Sequence, residues 1–298
     1  MNFTVPGVRI PLLPQALYSN CQRTLAIRMQ GFLFSLLLNV WDMDDIRMYS
    51  MKYFEDTEQK NRNDISQILF EEIRLFERIV NIQSGLFDGC FTISALPEYR
   101  PTPSECIMIQ SYIKSTYLLF NAHRLVLQGY YGIAQSLLRQ VFEFALISRY
   151  FHLKNNDGEA EKWLEECQFD IFNKILKRLE KPSKTSFFVL WKMLCGGAHA
   201  TAGSCQITSD CQANRYESIA VYSVIILLLC LDSVMLDDLL KRKKPVRLKR
   251  YLGDEFVCEL KLLRRERNEL IRIATGLFSD EGKALVKDYK ANWVFKTN

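Results

Sequence analysis

The run AVYSVIILLLCLDSVML, residues 220–236, constrains this fold more than any other stretch of the chain. Its side chains are almost all apolar, so folding must take it out of water, into a bilayer or into a protein core. A transmembrane helix needs about 20 consecutive apolar residues. This run is shorter, carries Asp232 and is followed at once by Asp237 and Asp238. It therefore reads as a buried core helix of a protein that does not enter the membrane. GFLFSLLLNVW, residues 31–41, is too short to span. A helix that is apolar all round needs other helices packed on every side. With 298 residues, 48% of them hydrophobic, the chain can supply that core.

The rest of the sequence offers helices for the purpose. Ile65, Leu69, Ile73, Phe76 and Val80 repeat at three and four residues, and Ile68, Leu75 and Ile79 widen the same face, which predicts a helix over 64–85. Asp64 is placed to cap it and Gly85 to end it. Ser104 is placed to cap a helix over 105–128 that buries Ile107, Met108, Ile113, Tyr117 and Phe120. Further helices are predicted over 15–41, 43–57, 136–154, 159–180, 187–195, 214–241, 254–277 and 280–291. Gly196-Gly197 should stop the helix over 187–195, with a loop over 198–213 behind it. Strand-like alternation is confined to 246–251. The expected fold is all-α, a multi-helix bundle. Pro6, Pro11 and Pro14 make residues 1–16 an extended arm instead of a leader helix. The glycines and prolines of 86–103 suggest a boundary between an N-terminal region, 1–100, and a helical bundle, 104–298.

The nine cysteines are odd in number and scattered through apolar patterns, which favours free thiols and a cytoplasmic setting. Cys195, His199, Cys205 and Cys211 are all residue types that zinc accepts. Their C-x3-H-x5-C-x5-C spacing matches no common finger, and no metal or other cofactor is expected. The chain lacks the phosphate-loop, nucleophile-elbow and H-E-x-x-H patterns.

Two features can carry function. In SLLRQVFEFALISRYFHLK, residues 136–154, Arg139 and Glu143 lie one turn apart on an otherwise apolar helix. They form either a partly solvated intrahelical ion pair or an inward polar strip that serves a ligand. His199, among small residues behind a Gly-Gly break, suits proton transfer or phosphate contact if it faces a cleft. The basic run KRKKPVRLKR, residues 241–250, supplies Lys241, Arg242, Lys243, Lys244, Arg247, Lys249 and Arg250. These cations either favour a helix C-terminus or form a patch for nucleic-acid phosphates. Tyr251 is the only aromatic beside them, so base stacking is not indicated. The net charge of +5 permits an anionic partner without requiring one.

Three blocks also carry a likeness: AHRLVLQGYYGIAQSLLRQVFEFALISRYF (122–151), EKW (161–163) and LWKMLCGGAH (190–199). Together they resemble bacterial all-helical proteins similar to the HEPN superfamily and to abortive-infection proteins of phage defence. The resemblance covers about residues 105–235. It implies RNA or nucleotide binding, sometimes ribonuclease activity, with Arg139, Glu143 and His199 converging at one site as catalytic residues. Active members carry Arg-x(4–6)-His on one helix. Here none of His123, His152 and His199 has an arginine five to seven positions before it. The alternatives are a non-enzymatic helical subunit of a larger complex, docking a partner or a second copy through the apolar arm and the helix 64–85, and a small zinc protein.

Overall fold

The computed structural model describes residues 51–94, 96, 99–166, 170–181, 183–198, 214–243 and 253–296. The extended arm, the helix expected over 15–41, the first residues of that expected over 43–57, the expected loop beyond Ala198 and the strand-like stretch at 246–251 lie outside these residues. The chain forms two compact units, 1–56 and 57–298. Of the first, only the opening turns of one helix are described.

Nine α-helices are described: α1 (Met51–Ile68), α2 (Phe70–Ser94), α3 (Pro103–Leu127), α4 (Tyr131–Lys154), α5 (Asp157–Glu166), α6 (Ser183–Ala198), α7 (Arg215–Lys243), α8 (Asp254–Gly276) and α9 (Asp280–Lys290), with a π-helical turn at Phe172–Leu176. Among the described residues there is no strand, only one antiparallel bridge between Leu179 and Phe295. The all-α bundle expected from the sequence is what forms.

α7 is the axis of the second unit. It packs against α2, α3, α4, α8 and α9. It is long and apolar enough to cross a membrane, yet 78% of its most apolar stretch is buried inside the fold. α3 and α4 form a helical hairpin around it, turning at Gly129, whose φ of 89° suits glycine. α6 lies on α4 and α9, and α8 lies along α2.

Several helix boundaries differ from those expected, each for a local reason. Asp64 is inside α1 and Gly85 inside α2, which continues to Ser94. At Gly89 the missing Cβ admits the side chain of Leu260, so this glycine serves a close approach of α8 instead of a helix end. α2 consequently shares its core with helices from beyond residue 103. Thr102, not Ser104, caps α3. Its hydroxyl accepts from Glu105 N, Glu105 Oε2 accepts from Thr102 N, and Pro103 occupies the first turn, where its missing donor does no harm. Ser104 N instead donates to Asp157 Oδ1 and ties α3 to α5. The helix expected over 159–180 is not continuous: Asp170 is outside any helix and a π-helical turn follows at Phe172–Leu176, and α6 runs through Gly196-Gly197.

α3 is apolar on two faces. Ile107, Met108, Tyr112 and Leu119 are buried, whereas Ile113, Tyr117 and Phe120, expected inside, are exposed, Tyr117 by 68%. Three–four periodicity identifies a stripe but cannot say which of two stripes meets the core.

Candidate anion-binding site

The charged groups taken out of water in this bundle are not the ones that helical spacing singles out. Arg149, in the apolar stretch ALISRYF of α4, is 4% exposed, and Asp238 of α7 is 1% exposed. Arg149 Nη1 donates to Asp238 Oδ2 at 2.6 Å. Its Nη2 donates to the carbonyls of Lys290 and Ala291 at 2.8 and 3.0 Å, satisfying the C-terminus of α9. Asp238 Oδ1 also accepts from Lys241 Nζ at 3.3 Å and lies 3.4 Å from His152 Nε2. A buried carboxylate is tolerated when several donors meet it in this way.

His152 is neutral at physiological pH. Burial outweighs the attraction of Asp238 and pulls its pKa down to about 4. Arg242 Nε approaches Nδ1 at 3.5 Å, so the proton sits on Nε2, facing Asp238. Both ring nitrogens are thereby engaged within the protein, which suits a structural imidazole and not a general base.

Beside this node α4, α7, α8 and α9 enclose a cleft of about 590 Å³. Five basic residues line it, Arg149, Lys241, Arg272, Lys283 and Lys290, against one carboxylate, Asp237. Asp237 is itself occupied, accepting from Arg264 Nε at 2.9 Å and from Arg267 Nη2 at 2.7 Å. Lys241, Arg272 and Lys283 stand exposed at the rim, paired with Asp238, Glu269 and Asp280. Lys290 has no ion-pair partner among the described residues. Asn268 adds an amide, while the Thr275 hydroxyl is spent on Ile271 O. The described lining holds no His, Cys or Ser. Its chemistry is that of holding an anion: ammonium and guanidinium groups converge on a polar concavity without a nucleophile or a free base.

The residues expected to form a site are distributed differently. Arg139 and Glu143 do pair, Nε to Oε1 at 3.0 Å, with side chains 26% and 22% exposed. They face α6, where Trp191 Nε1 donates to Glu143 Oε1 at 3.2 Å and the Arg139 guanidinium lies 5.8 Å from the Trp191 ring centre. His199, which would complete that group, lies outside the described residues. So do Cys205 and Cys211. Cys195 is on α6, where burial raises its thiol pKa, and among the described residues no cluster of three potential metal ligands forms.

Of the basic run, only Lys241 lines the cleft. Arg242 turns inward and caps α4, donating to the carbonyls of Phe151 and His152 at 2.9 Å and to Asn155 Oδ1 at 2.8 Å. Lys243 is 2% exposed; its ammonium donates to Ser94 Oγ at 2.5 Å and lies 4.3 Å from the centre of the Tyr99 ring. The cationic role expected of these two at the surface is thus replaced by capping and by burial. Lys244, Arg247, Lys249 and Arg250 lie outside the described residues. The cleft cations Arg149, Arg272, Lys283 and Lys290 were not singled out by spacing. The available signals were a lone arginine in ALISRYF and the acidic pair that follows the apolar run of α7.

No family model, curated protein or solved structure matches this chain.

Proposed function

We propose that this chain binds RNA or a nucleotide through phosphate, and that the cleft between α4, α7, α8 and α9 is where the phosphate sits. The observation that carries the reading is the lining: four exposed cations, Lys241, Arg272, Lys283 and Lys290, the last without an ion-pair partner among the described residues, around one carboxylate, Asp237, that two arginines already hold. A phosphate there meets charge-assisted donors in a partly enclosed space, where each is worth more than on open surface. The resemblance over residues 105–235 favours the same ligand class. On that likeness we read the chain as a HEPN-like cytoplasmic protein of bacterial defence or toxin–antitoxin type. Ribonuclease activity is the weaker part of that reading, because the Arg-x(4–6)-His pattern is missing and His152 is engaged on both nitrogens.

The test is titration of the purified full chain with AMP, ATP and inorganic phosphate at low salt. Replacing Arg272, Lys283 and Lys290 together by alanine should weaken binding about tenfold or more, because each charge-assisted contact contributes roughly 1.5 kcal/mol or more. Arg139→Ala should leave binding within about twofold. Equal affinity in the triple variant and the wild type, with helicity unchanged, rules the cleft out.

A second reading, a non-enzymatic subunit that docks a partner or a second copy, is favoured by the exposed stripe of Ile113, Tyr117 and Phe120 on α3. Replacing Tyr117 and Phe120 by serine should convert an oligomer to monomer by light scattering. A wild type already monomeric at high concentration removes the self-association form of this reading.

A further inference from the structure

The binding cleft does not end at Arg272. A second depression of about 530 Å³ runs along the outer face of α8, and it shares Asn268 and Arg272 with the first. Its other lining residues include Lys261, Arg264 and Arg265. Lys261, Arg265, Asn268 and Arg272 follow one another at four, three and four residues and so line one face of the helix. Lys261 and Arg265 are exposed and have no ion-pair partner among the described residues. The carboxylates near this strip are already matched. Glu269 is held by two donors of Arg272, at 2.6 and 3.1 Å, and Asp237 by Arg264 and Arg267.

From these observations we infer that the ligand is a nucleic-acid strand, not a mononucleotide: one phosphate enters the cleft and the backbone continues along α8 past Arg272, Arg265 and Lys261. The inference rests on the phosphate-binding reading of the cleft and extends it. From Arg272 to Lys261 is eleven residues, about 16 Å of helix at 1.5 Å per residue. The phosphates of a mononucleotide, gathered on one sugar, cannot meet both ends of that strip, whereas a chain of phosphodiesters can. Among the described residues no aromatic side chain lines either depression. Recognition is therefore of the backbone charge, indifferent to base identity and steep in salt.

The experiment uses the full chain and fluorescein-labelled single-stranded homopolymers of two, four, eight and sixteen nucleotides, read by anisotropy, beside AMP as the mononucleotide. Affinity should rise at least tenfold from dinucleotide to octanucleotide and then level off, with adenine and thymine homopolymers alike. Lys261→Ala with Arg265→Ala should abolish the gain with length while AMP affinity stays within twofold. The same pair should flatten the salt dependence of octanucleotide binding by about 1.4 in logarithmic slope, two single-strand phosphate contacts at roughly 0.7 each. If AMP binds in the cleft but length brings no gain, or the double variant binds the octanucleotide as wild type does, the strand inference fails and the cleft reading stands. If the Arg272, Lys283 and Lys290 triple variant binds AMP and the octanucleotide as wild type does, both fail. A strong preference for one base overturns the backbone-only mode.

Discussion

Asp232 gives the sharpest quantitative test of this structure. It lies fully buried in α7, and Thr116 Oγ1 of α3 donates to its Oδ2 at 2.9 Å. Its other oxygen, Oδ1, has no hydrogen-bond partner among the described residues. Burial pushes its pKa from 3.8 up to about 7, against the smaller opposing influence of the Ser115 and Thr116 hydroxyls. The sign follows from proton counts. Between these two values the folded chain keeps a proton that the unfolded chain releases, so the stability due to this group falls as pH rises through the window. Three pH units at 1.36 kcal/mol each make a loss of about 4 kcal/mol, complete by about pH 8. Asp232→Asn keeps an oxygen for Thr116 and removes the charge. Urea unfolding of both proteins at each pH from 4 to 8 measures the difference in stability, in which all other titrating groups cancel. The variant's advantage should grow by about 4 kcal/mol from pH 4 to pH 8, whatever constant offset the amide adds. A difference that is flat, or that falls with pH, shows that the carboxyl is solvated or paired and refutes its placement in the core.

Other predictions follow from the buried charges. Arg149→Ala leaves Asp238 without its principal partner and should destabilise by about 3–5 kcal/mol, whereas Arg139→Ala, which breaks a half-exposed pair within one helix, should cost about 1 kcal/mol or less; equal losses in denaturant titrations would contradict the burial assigned to the two pairs. His123, whose Nδ1 lies 2.8 Å from Tyr222 Oη, is also held at a pKa of about 4, by burial first and Arg124 second. Its stabilising effect, like that of His152, is full above the unfolded value of about 6.5 and is lost as pH falls toward 4. In the Asp232→Asn background, unfolding free energy should therefore drop by about 2 kcal/mol per histidine between pH 6.5 and 5, and a level profile there would mean the imidazoles are not desolvated.

The legible and the illegible parts of this chain divide by range. The apolar run of α7 announced a core helix because its composition leaves no polar face, and α8 and α9 formed within a residue of the expected 254–277 and 280–291. Gly85 and Gly89 misled because a glycine's local preference for helix ends yields to a packing demand, whereas α6 runs through Gly196, where a Cβ would have open space among the described residues. For Gly89 the demand comes from Leu260, 171 residues away in sequence. The same limit governs the site. Arg139 and Glu143 drew attention because helical pitch alone brings them together. Arg149 and Asp238 are 89 residues apart, and only the packing of α4 on α7 makes them neighbours. Even so, a single cation in a seven-residue apolar stretch implied a buried partner, and the acids behind the apolar run of α7 were the candidates.

On the phosphate-binding reading proposed above, Asp237 ties stability to ligand affinity with opposite signs. It is the one carboxylate among the described residues of the cleft wall, and it also neutralises Arg267, which is entirely buried and whose Nε has no partner among them. Asp237→Asn removes a negative charge from the ligand's surroundings and the counter-charge from that arginine in a single step. The amide oxygen can still accept one of the two bonds now made to Arg264 and Arg267, so the loss of stability should be near the lower end for a broken buried pair, about 3 kcal/mol. Anion affinity should move the other way. Removing a unit charge several ångströms from a phosphate, at the effective dielectric of a protein surface, should strengthen binding by roughly 2 kcal/mol at low salt, about thirtyfold, with the gain shrinking as salt is added. A protein that is less stable yet binds phosphate more tightly is hard to reach by general loosening of the fold. If affinity instead falls together with stability, the electrostatic account of the cleft is wrong and Asp237 itself contacts the ligand.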